Sequence, residues 1–191
     1  DTGVHAYNQV IHFDTSSSRD KKAWLEGGNS LLPQDIKFLW AEEVKPEFHA
    51  RFSAISRCYR YVVRNSEKAS ALWGNKSLWV REYLELPKMR QGASHLLGEK
   101  DFTSFRAAAC QSKTSLRNIK SLTITKKDDF VLLEITANAF LLNMVRIIVG
   151  TLLEVGMNKV KPERVKQILE AKNRNLAGKT ASPEGLYFWI L

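Results

Sequence analysis

The stretch NAFLLNMVRIIVGTLLEVG, residues 138–156, constrains the fold more than any other. Its apolar residues leave no polar face, so a helix over 139–155 must be covered by the rest of the molecule on nearly every side. Within it sits Arg146, whose guanidinium keeps its proton and whose burial without a partner carries a large desolvation penalty. Two resolutions stand open: the side chain snorkels to water, or a carboxylate elsewhere in the chain meets it. A membrane span fits poorly, because Asn143, Arg146 and Glu154 interrupt a run that is already short.

Covering such a helix calls for a sheet, and the strand signals supply one. Residues 55–64, ISRCYRYVVR, alternate so that Arg57, Tyr59, Tyr61 and Val63 share a face. Residues 117–125 and 130–137 read as a hairpin around 126–129, and 9–13, 36–44, 78–84 and 186–191 read as further strands. A helix capped by Ser17 or Ser18 is expected to turn Trp24 and Leu31 inward, and Pro87 and Pro162 open two more helices. Strands and helices mix without a strict alternation, which predicts an α+β fold with a mixed, largely antiparallel sheet and helices packed on one side. A composition change near 46–51 marks a boundary between subdomains, 1–50 and 51–191, with the active-site cleft expected between them.

The carboxylates that could meet Arg146 are few. Asp35, Glu42 and Glu43 fall near expected strand ends or exposed positions, whereas Asp1 is followed by Thr2-Gly3-Val4, a tight turn that aims a side chain in a definite direction. Asp1 is therefore the expected partner, and the pairing would keep it ionised and fix its orientation through a forked hydrogen bond.

Charge bears on what the chain binds. Against 20 acidic residues stand 29 basic ones, a net charge of +9, which favours a polyanion, nucleic acid first and an anionic membrane surface second. Arg51, Arg57, Arg60, Arg64, Arg106, Lys113 and Arg117 are candidate phosphate contacts. Phe102 and Phe105 either line a cleft beneath RNA or belong to the core. Cys58 and Cys110 lack CxxC spacing and read as small buried side chains in a reducing cytosol. The histidines, His5, His12, His49 and His95, lack the short paired spacing of a zinc site, so no metal is expected. No GxSxG elbow or nucleotide fingerprint occurs.

Six segments, in order, then match a known family: DTGVHAYNQVIHFDT, LLPQDI, FHARFSAISRCYRYVVRN, LLGEKDFTSFRA, NAFLLNMVRIIVGTLLEVG and EGLYF. On these the chain resembles the TruA-type tRNA pseudouridine synthases over nearly its whole length. The resemblance implies the pseudouridine synthase fold with ferredoxin-like subdomains, the first incomplete because the family's Gly-Arg-Thr and preceding strand-helix-strand portion have no counterpart here. It implies that Asp1 is the catalytic nucleophile, that Tyr59 lies beside the target base, and that Arg146 pairs with the acid. His5, Arg57, Arg60, Phe102 and Arg106 are the expected RNA contacts. Two positions depart from the family pattern: Thr2 stands for the usual alanine, and Leu142 for a residue commonly polar or basic.

The implied reaction isomerises uridine to pseudouridine in the anticodon stem-loop of tRNA, without cofactor. The base leaves ribose C1′, turns and rejoins through C5, the carboxylate attacking either the ribosyl centre or C6 of the base. Such a target must be flipped from its stack. The resemblance also implies a cytoplasmic homodimer. The alternative is a catalytically silent RNA-binding protein on the same scaffold, favoured by the missing front portion.

Overall fold

The computed structural model describes residues 2–190. Its contacts divide the chain into two compact units, one made of residues 2–9 with 55–190, the other Val10–Ala54.

The first unit is built on a seven-stranded sheet. Its strands are β1 (His5–Ala6), β2 (Arg57–Asn65), β3 (Leu78–Val80), β4 (Gly98–Asp101), β5 (Leu116–Lys127), β6 (Phe130–Ala137) and β7 (Leu186–Ile190). The order is β1-β7-β2-β6-β5-β4, with β3 paired to β2 beyond the path. The β1–β7 and β2–β3 pairs are parallel and the other four antiparallel, so the expected α+β class with a largely antiparallel sheet holds. The expected hairpin forms as β5 and β6, and Asp128 takes a left-handed φ of 52° in its turn.

Alternation assigns the faces. Tyr61 and Val63 of β2, and Val131, Leu133, Ile135 and Ala137 of β6, point into the core. On β5 the inward residues Ile119 and Ile124 have opposite parity, which a register shift between Ile119 and Ser121 permits. Against this face lie α3 (Met144–Gly156), almost wholly buried, and α2 (Leu86–Ser94), which packs on α3, β5 and α4 (Glu163–Ala171). The all-round apolar helix is thus covered as its sequence demands.

The structure corrects several local expectations. No strand forms over 9–13 or 36–44, since alternation supplies a face but not a ladder partner. Helix α1 (Lys21–Leu31) in the second unit begins later than predicted, its cap being Asp20, whose Oδ1 accepts the Ala23 N–H at 2.6 Å. Leu31 is 88% exposed rather than turned inward. Helix α3 starts at Met144 rather than 139, because Asn143 takes a left-handed φ of 59° that breaks the run. The strand predicted over 78–84 is shortened to Leu78–Val80, and β4, polar and unpredicted, forms at the sheet edge. Cys110 is only partly buried.

Candidate active site

Arg146 lies in the first turn of α3, half-buried. Its Nε donates to the Ala181 carbonyl at 2.7 Å and one terminal nitrogen to Asn143 Oδ1 at 3.1 Å. Asn143, bent into the left-handed region, thus turns its amide oxygen toward the guanidinium rather than capping the helix. A cation at this end adds to the positive pole of the helix dipole, an arrangement that favours a carboxylate nearby.

The loop carrying Ala181 is held by backbone approach. A Cβ on Gly150 would lie 1.8 Å from the Lys179 carbonyl oxygen, and one on Gly178 2.7 Å from the Thr151 nitrogen. Only glycines let 177–182 press this closely on α3. The Ala181 N–H donates to the Arg146 carbonyl at 3.0 Å, so loop and arginine are tied from both sides. Tyr61, fully buried, donates its hydroxyl to the Ser182 carbonyl at 2.7 Å. Burial drives that phenol's pKa far up, with Glu184 adding to the effect and Arg146 opposing it, so it stays protonated and structural.

Gly3 links this loop to the beginning of the chain. It sits in a turn with φ of 82°, and a Cβ there would lie 3.0 Å from Cγ of Pro183, next in sequence to Ser182. Asp1, the expected partner of Arg146 and the expected nucleophile, lies outside the described residues.

Tyr59 is half-buried on β2, its ring edge-on to Phe140 and tilted against Phe188, each at a centroid distance of 5.1 Å. Burial raises its pKa, with Arg57 partly opposing, so the hydroxyl remains neutral. Arg57 donates to the Asn138 carbonyl at 3.2 Å. Tyr59, Arg57 and Arg146 therefore converge on one segment, 138–146.

The other expected contacts are placed differently. Arg60 gives two hydrogen bonds to Glu134 Oε2, the shorter 2.7 Å, and lies 3.9 Å from the centre of the Trp189 ring, so a phosphate would compete with a carboxylate for it. His5 donates through Nε2 to the Asn75 carbonyl at 2.9 Å and stacks on Tyr187. Arg106 donates to backbone carbonyls of Cys110 and Ser112. Phe102 is fully buried with Phe105, so its ring packs the core and offers no face to RNA. Sequence reasoning missed Asn143, Ala181 and the Gly150–Gly178 contact. A glycine inside the apolar run was a signal, but what approaches it belongs to tertiary structure.

Among the described residues no cluster of three or more His, Cys, Asp or Glu could hold a metal, and no helix is long and apolar enough to cross a membrane. The tRNA pseudouridine synthase family profile matches residues 93–190. The chain is similar to tRNA pseudouridine synthase A of Aliivibrio fischeri strain ES114, 49% identical over 98% of this chain and 71% of that protein. The Legionella pneumophila strain Lens protein of the same name is 50% identical over 98% and 71%. That of Hydrogenovibrio crunogenus is 48% identical over 98% and 72%.

Proposed function

The chain belongs to the tRNA pseudouridine synthase A family of isomerases, and from that premise we propose that it converts uridine to pseudouridine in the anticodon stem-loop of tRNA, with Asp1 as nucleophile. The N1–C1′ bond breaks, the base turns, and C5 joins C1′; the proton at C5 is released and N1 gains one. Arg146 holds the carboxylate ionised and oriented. Tyr59, neutral and backed by Phe140 and Phe188, gives the flipped base a flat apolar neighbour and helps exclude water from the reacting sugar. Arg57, Arg60, Arg106 and His5 position the RNA backbone.

One observation carries this reading: Gly3 lies against Pro183, while Ala181 accepts from Arg146. One residue, Thr2, separates the acid from Gly3, a span of two Cα steps or at most about 7 Å. So short a span supports the pairing of that carboxylate with the guanidinium that the first turn of α3 presents. The described fold supplies a cation and an aromatic wall; with the acid of this reading added, the isomerisation, which has no net redox change, asks for little else.

The test uses tRNA carrying tritium at uridine C5. The protein is expected to release the label, and Asp1→Asn to abolish release while tRNA binding persists. No release from any tRNA by the unsubstituted protein would overturn the enzyme reading in favour of a silent RNA binder. Equal loss of binding and rate in Asp1→Asn would overturn the nucleophile. The proposal includes a cytoplasmic homodimer in which one tRNA touches both subunits; a monomer in light scattering removes that part.

A further inference from the structure

Arg106 and Arg117 flank the segment 107–116 and both fold back onto it. Arg106 bonds the carbonyls of Cys110 at 2.6 Å and Ser112 at 2.9 Å, and Ser115 Oγ at 3.4 Å. Arg117 bonds the Thr114 and Leu116 carbonyls and, at 2.7 Å, Ser112 Oγ. Every one of these acceptors is a neutral oxygen. Arg117 is only 7% exposed, and its Nε is buried with no hydrogen-bond partner. A guanidinium so placed, with a second beside it, calls for negative charge. Burial lowers the pKa of Arg117 and Arg106 lowers it further, while the charge that opposes this is that of Cys110.

Cys110 is the one group in 107–116 able to become an anion. Its Sγ accepts the Leu142 N–H at 3.4 Å, and the residue is only partly buried. Burial raises its pKa, but backbone N–H groups of Leu142 and Ser112 and the Arg106 guanidinium outweigh this and bring it below the ordinary thiol value. Cys58 is the internal contrast: it is buried, and desolvation pushes its pKa up.

We propose that Cys110, in the segment onto which Arg106 and Arg117 both fold, is a covalent modification site that exchanges with small anionic disulfides. The thiolate attacks one sulfur of the disulfide, a new S–S bond forms as the old one breaks, and the departing thiolate takes the electron pair. No other oxidant or proton is required. The adduct leaves Sγ neutral, so a reagent whose retained half carries carboxylates restores negative charge to the two guanidiniums. A cationic disulfide adds repulsion instead, which sets the chemical class.

The experiment treats the native full chain, without RNA, with 5,5′-dithiobis(2-nitrobenzoate) and in parallel with the cationic disulfide cystamine, locating adducts by peptide mass. Cys110 is expected to react at neutral pH while Cys58 stays a thiol, and the anionic reagent to outpace cystamine by more than it does on the urea-unfolded chain. Arg106→Gln is expected to slow the anionic reagent by roughly threefold relative to cystamine, the effect of one charge a few ångströms away in a largely aqueous setting. The pH dependence of alkylation by neutral iodoacetamide decides the matter even where that variant folds badly. A midpoint at or above that of the unfolded chain, or no preference for the anionic reagent, overturns the proposal.

Discussion

Residues 55–190 and Val10–Ala54 belong to one chain, yet they are held by different forces. In the first, Tyr61, Leu133, Ile135, Ile147, Ile148 and Leu152 are fully buried in a continuous core. In the second no residue reaches that state, and Leu39 and Phe52 remain 70% and 76% exposed. Its order comes from local ties: the Asp20 cap, Asn29 bonded twice to Phe38, an ion pair between Lys21 and Glu42, and the aromatic contacts Phe13–Trp24 and His49–Phe52. Each such tie contributes on the order of 1 kcal/mol or less, whereas buried side chains stabilise one another collectively. Similar apolar content therefore yields a continuous buried core in one place and exposed apolar side chains in the other.

The largest expected effect is in the cored unit. Ile148→Ala removes a fully buried side chain from α3 and should cost about 2–5 kcal/mol in urea unfolding. Leu39→Ala should cost far less; an equal loss would break the contrast. Next, Asp20→Ala should cost about 1 kcal/mol, seen as faster hydrogen exchange in α1 with no change in β2. Faster exchange in both would mean that the two units unfold together.

The smallest effect sharpens the comparison through pH. Asp101 accepts from the Thr103 hydroxyl and N–H and pairs with Lys172 at 3.0 Å. The Thr103 hydroxyl first, then Lys172 and the backbone, hold its pKa below the usual carboxylate value against a smaller opposing effect of burial. A depressed carboxylate stabilises the fold above its unfolded pKa, and that contribution is lost as pH falls through the lower, folded value. Asp101→Asn should remove this acid-side dependence and cost under about 1 kcal/mol at neutral pH, given the partial exposure of the pair. Urea midpoints measured at neutral and acid pH check it; an unchanged acid-side slope would show that Asp101 is not its source.

The contrast also explains what could be read beforehand. Strand β2, the β5–β6 hairpin and helices α2, α3 and α4 were legible because their apolar residues repeat at the period of the element and are in fact buried. In Val10–Ala54 the same reasoning gave strands over 9–13 and 36–44 that do not form, because a strand needs a neighbour that alternation cannot supply. Strand β4 was illegible for the converse reason: Gly98–Asp101 is polar, and only pairing with β5 makes it a strand. Of the site, the need of Arg146 for oxygen partners was legible, since a guanidinium in an apolar helix cannot go unsatisfied.

Composition and periodicity alone fixed the class of fold, the buried helix and the presence within it of a cation that had to be answered, because desolvation and side-chain period act on each residue wherever it lies in space. Tertiary structure decided the answer: Asn143 and Ala181 around Arg146, Gly3 against Pro183, Phe102 inside the core, and Arg117 folded back onto Ser112. Those are relations between distant residues, set by how closely backbones approach and which oxygens remain available, and no local pattern encodes them.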